Sequence, residues 1–197
     1  MTTPTARTIR FILAGAMAAL PATATMITFS LSADGTGTLG STPFTNALIT
    51  FTQVTDTTLI GNGCGVLCAP QVTTNTVTIA GVGTVTLTDE TFFFNNEGNV
   101  IGLEDITGGQ FPIGALSGSL GGYDMKVNFG PLPYPVFVAS FSGEPTTGGL
   151  LAAVYSGQVT FQAVVGSTSS TPEPGSFGLA LAGAISLAAG LLRRRRR

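Results

Sequence analysis

Two cysteines and two pairs of adjacent carboxylates are the side chains of this 197-residue sequence best equipped for chemistry. Cys64 and Cys68 stand four apart in Gly63-Cys-Gly-Val-Leu-Cys-Ala-Pro70. Bonded to each other they would staple a short loop; as thiolates they could exchange disulfides or supply half of a zinc site. The C-x-x-x-C spacing is not that of thioredoxin-like motifs, and the chain has no histidine to complete a metal set. Asp89-Glu90 and Glu104-Asp105 could meet across strands as the acid and base of a carboxylate-dependent hydrolase. Neighbouring residues of a strand face opposite sides, so each pair offers at most one acid to a shared face, and solvated turns account for both pairs more simply. Without histidine, nucleophiles of the Ser-His and Cys-His type are excluded, and neither G-x-S-x-G nor G-x-x-x-x-G-K-[ST] occurs. Asn95, Asn96, Glu97 and Asn99 carry oxygens suited to calcium, but not in the order of an EF-hand loop. These residues imply no catalytic site, no metal and no cofactor.

The elements that would position them read as strands. Ile27–Leu31, Leu48–Val54, Val77–Ile79, Val85–Leu87 and Val159–Val164 alternate apolar residues with Thr, Ser or Gln, the period-2 pattern of half-buried strands. Further strands are expected at Thr91–Phe94, Val100–Leu103, Tyr123–Phe129 and Val136–Phe141. Gly35–Gly40, Gly81–Val85 and Asn95–Asn99 carry glycine and asparagine in the manner of hairpin turns. Many short strands without helical periodicity imply an all-β domain, an antiparallel β-sandwich or jelly roll. Phe92-Phe-Phe94 would pack one ring into the core and leave its neighbours on a covered outer face.

Charge separates the middle of the chain from its ends. Only 9% of residues are charged, and seven of the eight bases are Arg7, Arg10 and Arg193 to Arg197. From Thr25 to Thr171 one base, Lys126, stands against nine acids, a net of −8. An acidic body with no aromatic-and-basic stripe repels phosphate backbones, so nucleic acid is excluded as a partner. With no tryptophan and three tyrosines, the usual stacking platforms for sugars are also scarce.

The two ends read as targeting segments. Arg7 and Arg10 precede the apolar run Phe11–Leu20, and Pro21 then leads into Ala22-Thr23-Ala24, a small-x-small site for signal peptidase. Residues 1–24 are therefore expected to be a signal peptide cut after Ala24. An exported chain meets an oxidising compartment, where Cys64 and Cys68 pair. At the other end, 176–192 holds no charged residue, and at ~1.5 Å per residue a helix there would be roughly 25 Å long, near the minimum for a bilayer. Arg193, Arg194, Arg195, Arg196 and Arg197 would stop that helix at the cytoplasmic face.

Pro172-Glu173-Pro174, the apolar segment after it and the closing arginines resemble the PEP-CTERM sorting signal of Gram-negative bacteria, a tail also catalogued as an ice-binding-protein C-terminal domain. The resemblance covers about the last 26 residues and says nothing of the domain before them. It implies recognition of Pro172, Glu173 and Pro174 by an exosortase-type processing enzyme, removal of 176–197, and delivery to the cell surface or the extracellular matrix. The resemblance also brings exopolysaccharide forward as a partner. Gly166–Thr171 is a small, polar linker able to present the tripeptide in extended form. The expected organisation is thus 1–24 signal peptide, 25–165 extracytoplasmic β domain, 166–171 linker and 172–197 sorting tail. The expected role is a non-catalytic structural or binding protein held transiently at the inner membrane. The alternative is an extracellular carboxylate-dependent hydrolase acting on polysaccharide. No regular threonine repeat in the sequence supports ice binding.

Overall fold

A computed structural model describes residues 25–166, apart from 65, 74, 97, 98 and 119. The expected signal peptide, the linker beyond Gly166 and the sorting tail lie outside the described residues. Within them, every regular element is a strand, and every pairing is antiparallel. In chain order these are β1 (Met26–Leu39), β2 (Thr42–Asp56), β3 (Leu67–Pro70), β4 (Thr76–Ile79), β5 (Gly83–Thr86) and β6 (Thr91–Asn96). Then come β7 (Val100–Asp105), β8 (Gln110–Leu116), β9 (Phe129–Pro135), β10 (Ser140–Thr146) and β11 (Gly149–Val165). The domain is all-β, as the alternation implied.

A seven-stranded sheet runs β10-β11-β1-β2-β4-β5, with β9 paired to the later half of β11, and a four-stranded sheet runs β3-β6-β7-β8. The long strands persist because alternation persists: Ile27, Phe29, Leu31 and Ala33 of β1 face inward while Thr28, Ser30, Ser32 and Asp34 face outward. Gly35–Gly40, expected as a turn, continues β1 instead. Its glycines are there for close approach, since a Cβ on Gly37 would collide with the Ala152 carbonyl of β11. The reversal comes at Gly40, whose φ of +56° lies in the left-handed region.

The core lies between the sheets. Phe29 of β1 stacks on Phe93 of β6 at 5.4 Å between ring centroids, and on Phe161 of β11 at 6.3 Å. Ile101, Leu103 and Ile113 close it from the smaller sheet. A buried polar joint fixes the register of one sheet on the other: Gln53 Nε2 donates to the Ala69 carbonyl at 2.6 Å and Thr55 Oγ1 to the Pro70 carbonyl at 2.6 Å. Asn75 Nδ2 bridges Gln53 Oε1, at 3.0 Å, and the Thr91 hydroxyl. Buried groups of this kind are costly unless bonded, so the joint tolerates little displacement.

The two outermost members of the larger sheet also meet. Leu87, just past β5, bridges Thr146 of β10, Thr88 N donates to Pro145 O at 3.0 Å, and Thr147 N donates to Thr86 O at 2.9 Å. This seam closes the sheet on itself at one end. Elsewhere, Pro131, Pro133 and Pro135 alternate along β9. A proline nitrogen cannot bond to β11, so the donors missing are those of the outward edge, which discourages pairing with another chain.

Two expected strands are corrected. Within 123–129, Asp124 Oδ1 accepts from Lys126 N at 3.0 Å and Met125 takes φ +61°, so these residues turn and the strand starts only at Phe129. Val136 forms a single bridge to Ala115, and β10 begins at Ser140 and runs on past Phe141. β3 and β8 were not expected. β8 carries Pro112 and Gly114 inside it, which the chain accommodates because β8 lies at a sheet edge.

Cutting Phe29 back to alanine removes the ring that joins both sheets. Chemical denaturation should show a loss of about 3–5 kcal/mol; a loss within ~0.5 kcal/mol would mean the sheets do not pack here.

Candidate functional site

Cys64 and Cys68 lie at disulfide distance, with Cα atoms 6.3 Å apart. Cys68 opens β3 beside Gly61, with which it exchanges both backbone hydrogen bonds at 3.1 and 2.9 Å. The bridge thus closes a loop already held at its base. A hollow of about 350 Å³ opens beside it, walled by Leu59, Phe92 and Ile106 with the Glu90 carboxylate at one side.

Only Glu104-Asp105 lies in a strand, at the end of β7; Asp89-Glu90 belongs to the segment before β6. Glu90 is exposed and Glu104 half-buried, while Asp105 is buried and Asp89 half-buried. Asp105 accepts from Thr107 N and Gly108 N, each at 2.8 Å, so its charge is spent on the turn after β7. The Glu104 carboxyl is raised, first by burial and then by the neighbouring Asp105 charge.

A fifth acid, unforeseen from the sequence, lies near Asp89 and Asp105. A bulge between Ser142 and Glu144 in β10 turns Glu144 toward the interior, opposite Leu151. Glu144 is 1% exposed, and neither carboxyl oxygen has a hydrogen-bond partner. Burial, then the charges of Asp105 and Asp89, push its carboxyl up to about 7. The Tyr155 phenol is raised too, by burial first and by Glu144 second, and donates to the Pro112 carbonyl at 2.6 Å. The available signal was Gly143, a glycine breaking the alternation inside a strand, which marks a bulge.

Acids with separated proton affinities are the raw material of glycoside hydrolysis. Here, however, Glu144 is enclosed, and none of the three hollows described in this domain is lined by Asp89, Asp105 or Glu144. Among the described residues, no three of His, Cys, Asp and Glu come together to hold a metal ion. Asn95, a candidate calcium ligand by sequence, is buried and donates to the Tyr123 carbonyl at 2.9 Å.

A groove of about 710 Å³ lies in the corner where β8 meets β10, β11 and β1. Its lining holds no charged residue: Phe111 forms an aromatic wall, with Thr36, Thr38, Gln110, Ser140 and Ser142 around it. The side chains of Thr38, Gln110, Ser140 and Ser142 make no hydrogen bond among the described residues. The outer face of the larger sheet is a second polar surface. There Thr160, Ser32, Thr50, Thr78 and Thr84 form one row and Gln162, Ser30, Thr52, Thr76 and Thr86 the next. No periodic stretch of sequence spells this array; strand pairing assembles it from five strands. Phe93 points to the core while Phe92 and Phe94 lie on the opposite face with Phe111, as the triple phenylalanine implied.

Comparison with known proteins finds no matching family model, no matching curated protein and no matching solved structure. What this chain does must therefore be argued from its residues and their geometry.

Opening the Cys64–Cys68 ring releases only a short loop. Reduction, or Cys64→Ser with Cys68→Ser, should cost about 2 kcal/mol by chain entropy; denaturation with and without reductant measures it, and unfolding on reduction alone would contradict the local role.

Proposed function

We propose that this chain is an exported surface or extracellular-matrix protein of a Gram-negative bacterium, with a β domain that binds and does not catalyse. The two sheets are read as a β-sandwich with jelly-roll character. Export rests on the signal-peptide pattern that ends at Ala22-Thr23-Ala24. Sorting rests on Pro172, Glu173 and Pro174 followed by the apolar segment and Arg193 to Arg197. Signal peptidase and an exosortase-type enzyme are the processing partners, and the membrane holds the tail before processing.

The observation that carries the binding role is polarity along β1. The described chain begins beside Met26 and leaves at Gly166, whose N–H donates to Met26 O at 2.9 Å, so the linker after Gly166 departs from the pole where the domain begins. The groove borders Thr36 and Thr38, ten or more residues further along the same strand. At ~3.3 Å per residue that is roughly 33 Å from the attachment pole. A domain hung from its termini would present the groove outward. The groove's free hydroxyls and amide, its aromatic wall and its lack of charge fit a neutral, hydroxyl-rich polymer, which makes neutral exopolysaccharide the favoured partner.

Intact-mass analysis of the exported product should find a chain starting at Thr25 and ending close to Pro174. Alanine at Pro172, Glu173 and Pro174 should leave 176–197 attached. A cytosolic product with both ends intact would refute export. Retardation in gels containing the producing cell's neutral polymer tests the groove. Ser142→Arg or Val154→Arg, both at exposed positions, should weaken retardation about tenfold, equivalent to ~1.4 kcal/mol, and unchanged retardation would remove the groove from the account.

A further inference from the structure

Glu144 immediately precedes Pro145, where the seam that closes the larger sheet begins. The strand that turns Glu144 inward, β10, supplies Pro145 O to Thr88 N, its Thr146 bridges Leu87, and Thr147, the residue just past it, donates its N–H to Thr86 O. We infer that Glu144 is a proton-controlled clasp on this seam, which stays shut while the buried carboxyl is neutral and loosens once it becomes the carboxylate.

Geometry makes the carboxylate costly. The side chain is 1% exposed and both of its oxygens lack a partner, so an ion there would have neither water nor a donor around it. The groups that face it make ionisation harder. Asp105 approaches from the end of β7 and Asp89 from the segment leading into β6, both of the same sign. Tyr155 faces it from β11, but its hydroxyl proton is committed to Pro112 O. Lys126 is the one base among the described residues, and it lies in the turn after Tyr123.

These surroundings hold the folded-state carboxyl near 7, against 4.5 for a free glutamate. Between those values the native chain keeps a proton that the unfolded or opened chain releases, so closure weakens as pH rises. Its contribution is complete below 4.5 and lost as pH passes through about 7. Mild acid therefore tightens the seam and neutral to alkaline conditions loosen it. β10 also carries Ser140 and Ser142 on the groove wall, so the clasp governs how firmly that wall is held, whatever the groove binds.

The test uses the full chain with its tail held in detergent micelles, comparing wild type with Glu144→Gln, a neutral isostere. Protection factors of the Thr88 and Thr147 amides, the donors across the seam, are measured by hydrogen exchange from pH 5 to pH 8. In wild type they should fall on the order of tenfold or more, whereas the Gln variant should hold nearly constant. An equal fall in both proteins, or no fall in wild type, overturns the clasp. Should the Gln variant not fold, carboxyl-labelled glutamate in the wild type decides by NMR. The Glu144 resonance titrating near pH 7 supports the inference, and that resonance titrating near 4.5 contradicts it.

Discussion

The pairing of the first strand with the last is the constraint on which the rest depends. β1 pairs with β11 from Ile27 opposite Val165 to Leu39 opposite Leu151, and its other edge pairs with β2 over nearly the same length. No other strand has long partners on both sides, so β1 organises the larger sheet. Because β11 is the final described strand, that sheet is incomplete until residue 165 has joined it. Contacts so distant in sequence must meet a large loop-closure cost before they stabilise anything. The same pairing brings the two ends of the domain together and sets the groove at the far end of β1.

Alternation then divides chemistry between two faces. Phenylalanines, leucines and isoleucines go inward, and threonines and serines line up outward as neighbours across β11, β1, β2, β4 and β5. A face of this kind carries little charge, with Asp34 and Asp56 toward its ends. The remaining described carboxylates lie on the smaller sheet, its connections and the bulge of β10. A body with one base cannot neutralise them by ion pairs. Asp105 is satisfied by backbone N–H groups, whereas the Glu144 oxygens have no partner and burial raises that carboxyl. The same scarcity of bases underlies both the expectation that nucleic acid is no partner and the proposed pH sensitivity of the seam.

Strand identity was legible wherever alternation was clean, as in Leu48–Val54, which lies wholly inside β2, and Val159–Val164 inside β11. Extent was not, because Gly35 and Gly37 look like turn residues and only the nearness of the Ala152 carbonyl reveals why the strand needs them. The 123–128 turn passed for a strand because alternation says nothing about Asp124 bonding back to Lys126 N. Of the candidate chemistry, the cysteine pair and the inward–outward division of Glu104-Asp105 could be read in advance, whereas Asp89-Glu90 lies outside any strand. Glu144 could not, since its inward orientation depends on one extra residue in β10, and a one-residue shift changes which face a side chain occupies. The groove and the hydroxyl rows were invisible for a related reason: their members are adjacent only across strands.

Residue-resolved amide hydrogen exchange tests the central pairing most directly. If β1 and β11 hold the domain together as one unit, their hydrogen-bonded amides should exchange together, at the slowest rate in the protein and only through global unfolding. Exchange of β11 at loop-like rates, while the β1–β2 hairpin stays protected, would contradict the account.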